Sequence, residues 1–163
     1  MSSRTVTDVR QRGKAAAALL ALVFGGVLLS SARGAALVVN PQSGFAISGF
    51  DPVAYLTDAK PERGRPDLEL SEEGAVWRFC NEGNRAAFAA HPEVYCPLFG
   101  GYDAVGITRG RSVPGHPQIW AVARGRLYLF YSRDNRAEFL ADSAGVLTRA
   151  ERVWPVIQRA TPR

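Results

Sequence analysis

An α+β fold is predicted by three observations on the 163-residue chain. Two stretches 51 residues apart resemble each other, and each reads as strand, glycine turn, strand and capped helix. Hydrophobic residues make up 47% and aromatic residues 10% of the chain, enough for a sizeable core. The last segment carries Leu147, Val153, Trp154 and Ile157 at spacings that suit one helix.

The N-terminal segment comes first. Residues 1–14 are polar and basic, and Ala15 to Leu29 is apolar, broken only by Gly25 and Gly26. Ser30, Ser31, Ala32, Gly34, Ala35 and Ala36 follow as small residues. A basic start, an apolar stretch and small residues at the −3 and −1 places of a cleavage site together predict a secretory signal peptide over residues 1–36. The competing expectation is an uncleaved anchor over residues 15–32, 18 residues long and near the lower limit for spanning a bilayer. In either case the basic flank precedes the apolar run, which places residues 37–163, a single domain, outside the cytoplasm, in the periplasm. Residues 15–32 are also the only expected membrane attachment.

Next, Asp51-Pro52 has the form of a helix opening. A carboxylate can accept from free N–H groups, and proline at the first helical position loses no bond. The first copy then runs through the Glu72-Glu-Gly74 turn and Gly74-Ala-Val-Trp-Arg-Phe79. Its helix is capped at Asn81 and turns Phe88 inward. Between the copies lies Tyr95-Cys-Pro-Leu-Phe-Gly-Gly-Tyr-Asp-Ala104, where Gly100 and Gly101 permit a sharp bend. The second copy runs through the Arg124-Gly125 turn and Gly125-Arg-Leu-Tyr-Leu-Phe130. Its helix is capped at Ser132 and is expected to turn Phe139 and Leu140 inward. The two units are expected to share one core, flanked by the short N-terminal helix and a C-terminal helix over about Leu147 to Ile157.

Charge narrows the function. The chain carries a net +5, but residues 1–36 hold five basic residues against one acidic residue. The remainder balances at +1, which leaves no general footprint for a polyanion, so no nucleic-acid partner is expected. Neither a phosphate-binding G-x-x-x-x-G-K-[ST] loop nor a G-x-G-x-x-G fingerprint nor a G-x-S-x-G elbow occurs.

Several short stretches together carry a family resemblance. Gly49-Phe-Asp-Pro-Val-Ala-Tyr55, Trp77-Arg-Phe79, Asn84-Arg85, His91-Pro-Glu-Val-Tyr95, Gly100-Gly-Tyr102, Leu127-Tyr-Leu129 and Trp154-Pro155 resemble, in order and spacing, the exported YHS-domain proteins of bacteria. The likeness extends over roughly Ala46 to Val156. It implies a non-enzymatic exported domain that binds a metal ion or a small ligand. Copper is the first candidate ion, because the wider YHS group includes domains attached to heavy-metal ATPases; another transition metal is the alternative. The cysteine pattern of those domains falls here on Ala54, Cys80 and Asn84, so only one of its three thiols is present. The place where exported relatives commonly carry a further cysteine is Asp103.

The groups left for metal chemistry are Cys80, His91, Cys96, Asp103 and His116, without any C-x-x-C or H-x-x-x-H spacing. Tyr55, Tyr102 and Asp103 are candidates for a small-ligand site. Asp103 has a second reading, as an acceptor of backbone hydrogen bonds that pins its turn. The cysteines also have other readings. A helix from Asn84 to His91 spans about 12 Å, and an extended return over residues 92–95 about 13 Å, so Cys80 and Cys96 could form a disulfide in an oxidising compartment. They could equally be buried thiols in a structural or interaction module that has no metal site. Alternatively, Cys80 could be a reactive thiol beside a helix start. A small enzyme of unknown reaction ranks behind these.

Overall fold

Each hairpin forms because a two-residue turn joins two β-prone segments. In the computed structural model, which describes residues 36–161, β1 (Glu69–Glu72) pairs antiparallel with β2 (Ala75–Arg78), with Leu70 opposite Trp77. β3 (His116–Ala123) pairs likewise with β4 (Arg126–Phe130), with Ala121 opposite Tyr128. Both turns place two consecutive residues at positive φ, Glu73 and Gly74 in one and Arg124 and Gly125 in the other. That is the requirement of a type I′ hairpin, whose twist matches the strands it joins.

A helix follows each hairpin. α2 (Glu82–Ala90) starts where the Asn81 side chain accepts from the Asn84 amide, and α5 (Arg133–Ala141) where Ser132 accepts from Asn135. Four further helices complete the fold: α1 (Ala54–Thr57), α3 (Pro92–Tyr95), α4 (Ala104–Thr108) and the long α6 (Ser143–Ala160). The architecture is α+β, with two separate two-stranded sheets. α6 begins four residues before the predicted Leu147 and continues through Pro155.

The core differs from the single shared one that the sequence suggests. One cluster gathers Ile47, Tyr55, Trp77, Phe79 and Phe88; the other gathers Val105, Ile107, Phe139, Val146 and Leu147. Strand β4 divides them. Leu127 and Leu129 face the first cluster, and Tyr128 and Phe130 face the second. Successive side chains of a strand point to opposite faces, so a strand buried on both sides serves two cores. Leu140, expected to point inward with Phe139, is instead 53% exposed, whereas Phe139 is fully buried. One residue is about 100° around a helix, and the inward arc of α5 is too narrow for both.

The described residues belong to one compact unit. It takes in Ala36, which the sequence groups with the leader. Ala36 is buried, and a Cβ on Gly100 would collide with its carbonyl oxygen. The Val38 amide donates to the Gly100 carbonyl at 2.8 Å, so the segment after Ala36 lies along the double-glycine bend. The expected signal peptide otherwise falls on residues 1–35, outside the described residues. Among those described, no helix is long and apolar enough to cross a membrane.

Candidate functional site

Two buried carboxylates organise the polar interior. Among the described residues, Asp51 and Asp103 are the only charged ones that are buried, each with no exposed surface. Asp51 Oδ1 accepts from the Val53 and Ala54 amides at 2.8 and 3.4 Å and so caps α1. Its Oδ2 accepts from the Cys80 amide at 2.9 Å and from Asn84 Nδ2 at 2.7 Å. Asp103 repeats this 52 residues later. Its Oδ1 accepts from the Val105 and Gly106 amides at 2.9 and 3.2 Å, and its Oδ2 accepts from the Tyr131 amide at 3.0 Å and from Asn135 Nδ2.

The backbone around each carboxylate is matched as well. The Asp51 amide donates to the Glu62 carbonyl and the Asp103 amide to that of Val113. Likewise the Gly64 amide donates to Gly49 and the Gly115 amide to Gly101. Each aspartate therefore ties the turn before a short helix to the end of a hairpin and the first turn of the next helix. A buried carboxylate is tolerable when several donors satisfy it.

This arrangement decides between the two readings of Asp103. Its oxygens are occupied by four donors of its own chain, so it holds the fold instead of facing a ligand. Asn84 and Asn135, to which the sequence assigned no bonding role, are the side-chain partners that complete each frame. Their signal was the pair of Gly-aromatic-Asp-x-Val stretches, Gly49 to Val53 and Gly101 to Val105, displaced by 52 residues instead of 51.

The other candidate ligands lie apart. Cys80 is half-buried at the end of β2, where its sulfur accepts from Asn81 and Asn84 side-chain amides at 3.3 and 3.4 Å. Burial, with the Asp51 carboxylate nearby, pushes its thiol up to about 11. Cys96 follows α3, and its carbonyl accepts from Arg126. Burial and the acidic Glu73 at the β1–β2 turn push its thiol up to about 12. Both cysteines are free, which corrects the disulfide expectation. The Cys80 sulfur is turned to the Asn81 and Asn84 side-chain amides, and Cys96 follows α3 beside Arg126.

His91 caps the end of α2 with its side chain 66% exposed, 3.4 Å from Glu93. His116 opens β3 on the surface, its Nδ1 accepting from the Gln118 amide at 3.2 Å. Among the described residues, no three His, Cys, Asp or Glu side chains are placed to hold one ion. The five proposed ligands therefore do not fit a shared soft-metal centre. Burial raises both thiols above their ordinary value, so a metal would have to displace a more tightly held proton from each.

Tyr55 and Tyr102 do not line a common cavity with Asp103 either. Tyr55 is 1% exposed, donates its hydroxyl to the Pro117 carbonyl at 2.8 Å and packs edge-on against Trp120. Burial, reinforced by Asp51, raises its phenol above the usual range. It links α1 to β3 across the two halves. Tyr102 packs on Trp154, with ring centroids 5.9 Å apart, and so ties the double-glycine bend to α6. A surface groove of about 410 Å³ does open beside the second frame, lined by Gly106, Arg111, Val113, Tyr131, Ser132 and Asn135. The fold and this geometry define the class as an α+β domain with two aspartate-centred frames. Compared with known protein families, curated proteins and solved structures, the chain matches none.

Proposed function

We propose that this chain is an exported domain of the YHS type that works by binding a partner through its surface, without a resident metal and without turning over a substrate. The observation that carries this reading is the saturation of Asp51 and Asp103, each bound by four donors from its own chain. The interior thus spends its charged groups on holding the fold. The thiols support the same reading, since burial raises both above their ordinary value. The basic, apolar and small-residue order of residues 1–36 supports export.

Titration of the reduced protein with Cu(I), Cu(II) and Zn(II), beside a Cys80→Ala/Cys96→Ala variant, tests the metal-free part. The expected result is the same weak uptake by both proteins. A tight site of fixed stoichiometry that disappears in the variant would overturn the proposal in favour of a metal-binding protein.

A further inference from the structure

The near-neutral total of the folded part conceals a division. Residues 36–102 carry five basic and nine acidic residues, a net −4, whereas residues 103–161 carry nine arginines and five acidic residues, a net +4. The ion pairs do not bridge the division. Lys60–Glu62, Arg65–Asp67, Arg78–Glu69, Arg85–Glu82 and His91–Glu93 lie in the first part, and Arg109–Glu138 and Arg149–Asp142 in the second. Since the first core cluster draws mainly on residues 46–88 and the second on residues 99–157, the charge halves are also packing halves.

The outer face of α6 gives the basic half a surface. Val146, Leu147, Ala150 and Ile157 bury the inner face. Arg149, Arg152, Val156 and Arg159 are exposed, and at 3.6 residues per turn they fall within about 80° of one another. Val156, 62% exposed, sits among the three arginines. Asp142 lies 3.7 Å from Arg149 at the start of the helix, and Glu151 lies on the flank, outside the stripe. The stripe is the outward, convex side of a helix whose opposite face is buried.

We infer that α6 docks the domain onto an anionic lipid surface through Arg149, Arg152 and Arg159, with Val156 entering the headgroup boundary. A convex row of cations around one apolar side chain suits an extended negative plane, whereas an acidic peptide is better held in a groove. The net −4 of residues 36–102 is repelled by the same plane, whereas the arginine stripe of α6 is attracted to it. The inference rests on the export reading only for where the protein meets a membrane.

The test uses the protein isolated with the N-terminus it carries, defined by intact mass. Binding is measured to phosphatidylcholine vesicles and to 7:3 phosphatidylcholine–phosphatidylglycerol vesicles. The readout is the increment due to phosphatidylglycerol. Replacing Arg149, Arg152 and Arg159 together with Gln is expected to reduce it at least tenfold, since each arginine near such a surface contributes roughly a fivefold gain. The single charge reversal Arg152→Glu should reduce it severalfold, and a control, Arg111→Gln/Arg133→Gln, should change it little. Unchanged melting temperatures establish that the variants are folded. Absence of the increment, an equal loss in the control, or equal affinity for polyglutamate in solution would each overturn the inference. Failure of export would instead appear as a full-length mass and leave the comparison of parent with variant unaltered.

Discussion

Asp51 and Asp103 replace what a small fold otherwise lacks, a rigid link between elements distant in sequence. Each holds donors up to 33 residues away and caps a short helix at the same time. An amide in place of the carboxylate keeps the shape but puts an N–H group against donors. Asp103→Asn is therefore expected to cost about 2–4 kcal/mol, because donors at Tyr131 and Asn135 lose a charged acceptor. Asp103→Cys is expected to cost at least as much, since sulfur accepts weakly. Urea unfolding measures both, and a loss below about 0.5 kcal/mol, the size of an ordinary surface change, would remove Asp103 from this role.

Among the elements, β4 and α5 carry the largest consequences. β4 is buried on both faces, with Leu127 and Leu129 in one cluster and Tyr128 and Phe130 in the other. α5 lays Phe139 against Tyr128 and Phe130, with ring centroids 5.0 Å away in each pair. Truncating a fully buried ring leaves a cavity that its neighbours fill only in part. Phe139→Ala is expected to lose about 3–5 kcal/mol, whereas Leu140→Ala should stay within about 0.5 kcal/mol. Denaturant midpoints of the two variants decide this, and equal losses would contradict the observed orientation of α5.

For the molecule as a whole, the titratable groups that burial raises set the response to alkali. Cys80 and Cys96, raised to about 11 and 12 in the folded chain, titrate near 9 when released. Between those limits the unfolded chain gives up protons that the folded chain keeps, so stability falls as pH rises from about 9 toward 12. Tyr55, raised by burial, adds to the same slope. Denaturant midpoints between pH 8 and 11 should decline, and less steeply in Cys80→Ala/Cys96→Ala. Parallel curves for the parent and the variant would show that the thiols are not shielded.

The parts of this fold that depend on near neighbours were legible in the residues. Asn81 and Ser132 show their capping role three residues before the amides they serve, and Glu73-Gly74 and Arg124-Gly125 mark their turns directly. The α+β class follows from those local choices, because turn chemistry and capping act over a few bonds. The site was less legible. Asp51 reads as a helix opener, but its bonds to Cys80 and Asn84 arise only when the hairpin folds back. For Asp103 the residues left ligand and turn pin open, and four donors from three separate segments closed the question. The fates of the two cysteines likewise depended on the neighbours that folding gave each one. The charge halves could be counted along the chain, but only the structure shows that the two core clusters draw mainly on the same two parts. Local geometry is encoded within a turn or two of chain, whereas satisfaction of a buried charge and the division of a core depend on contacts that only packing creates.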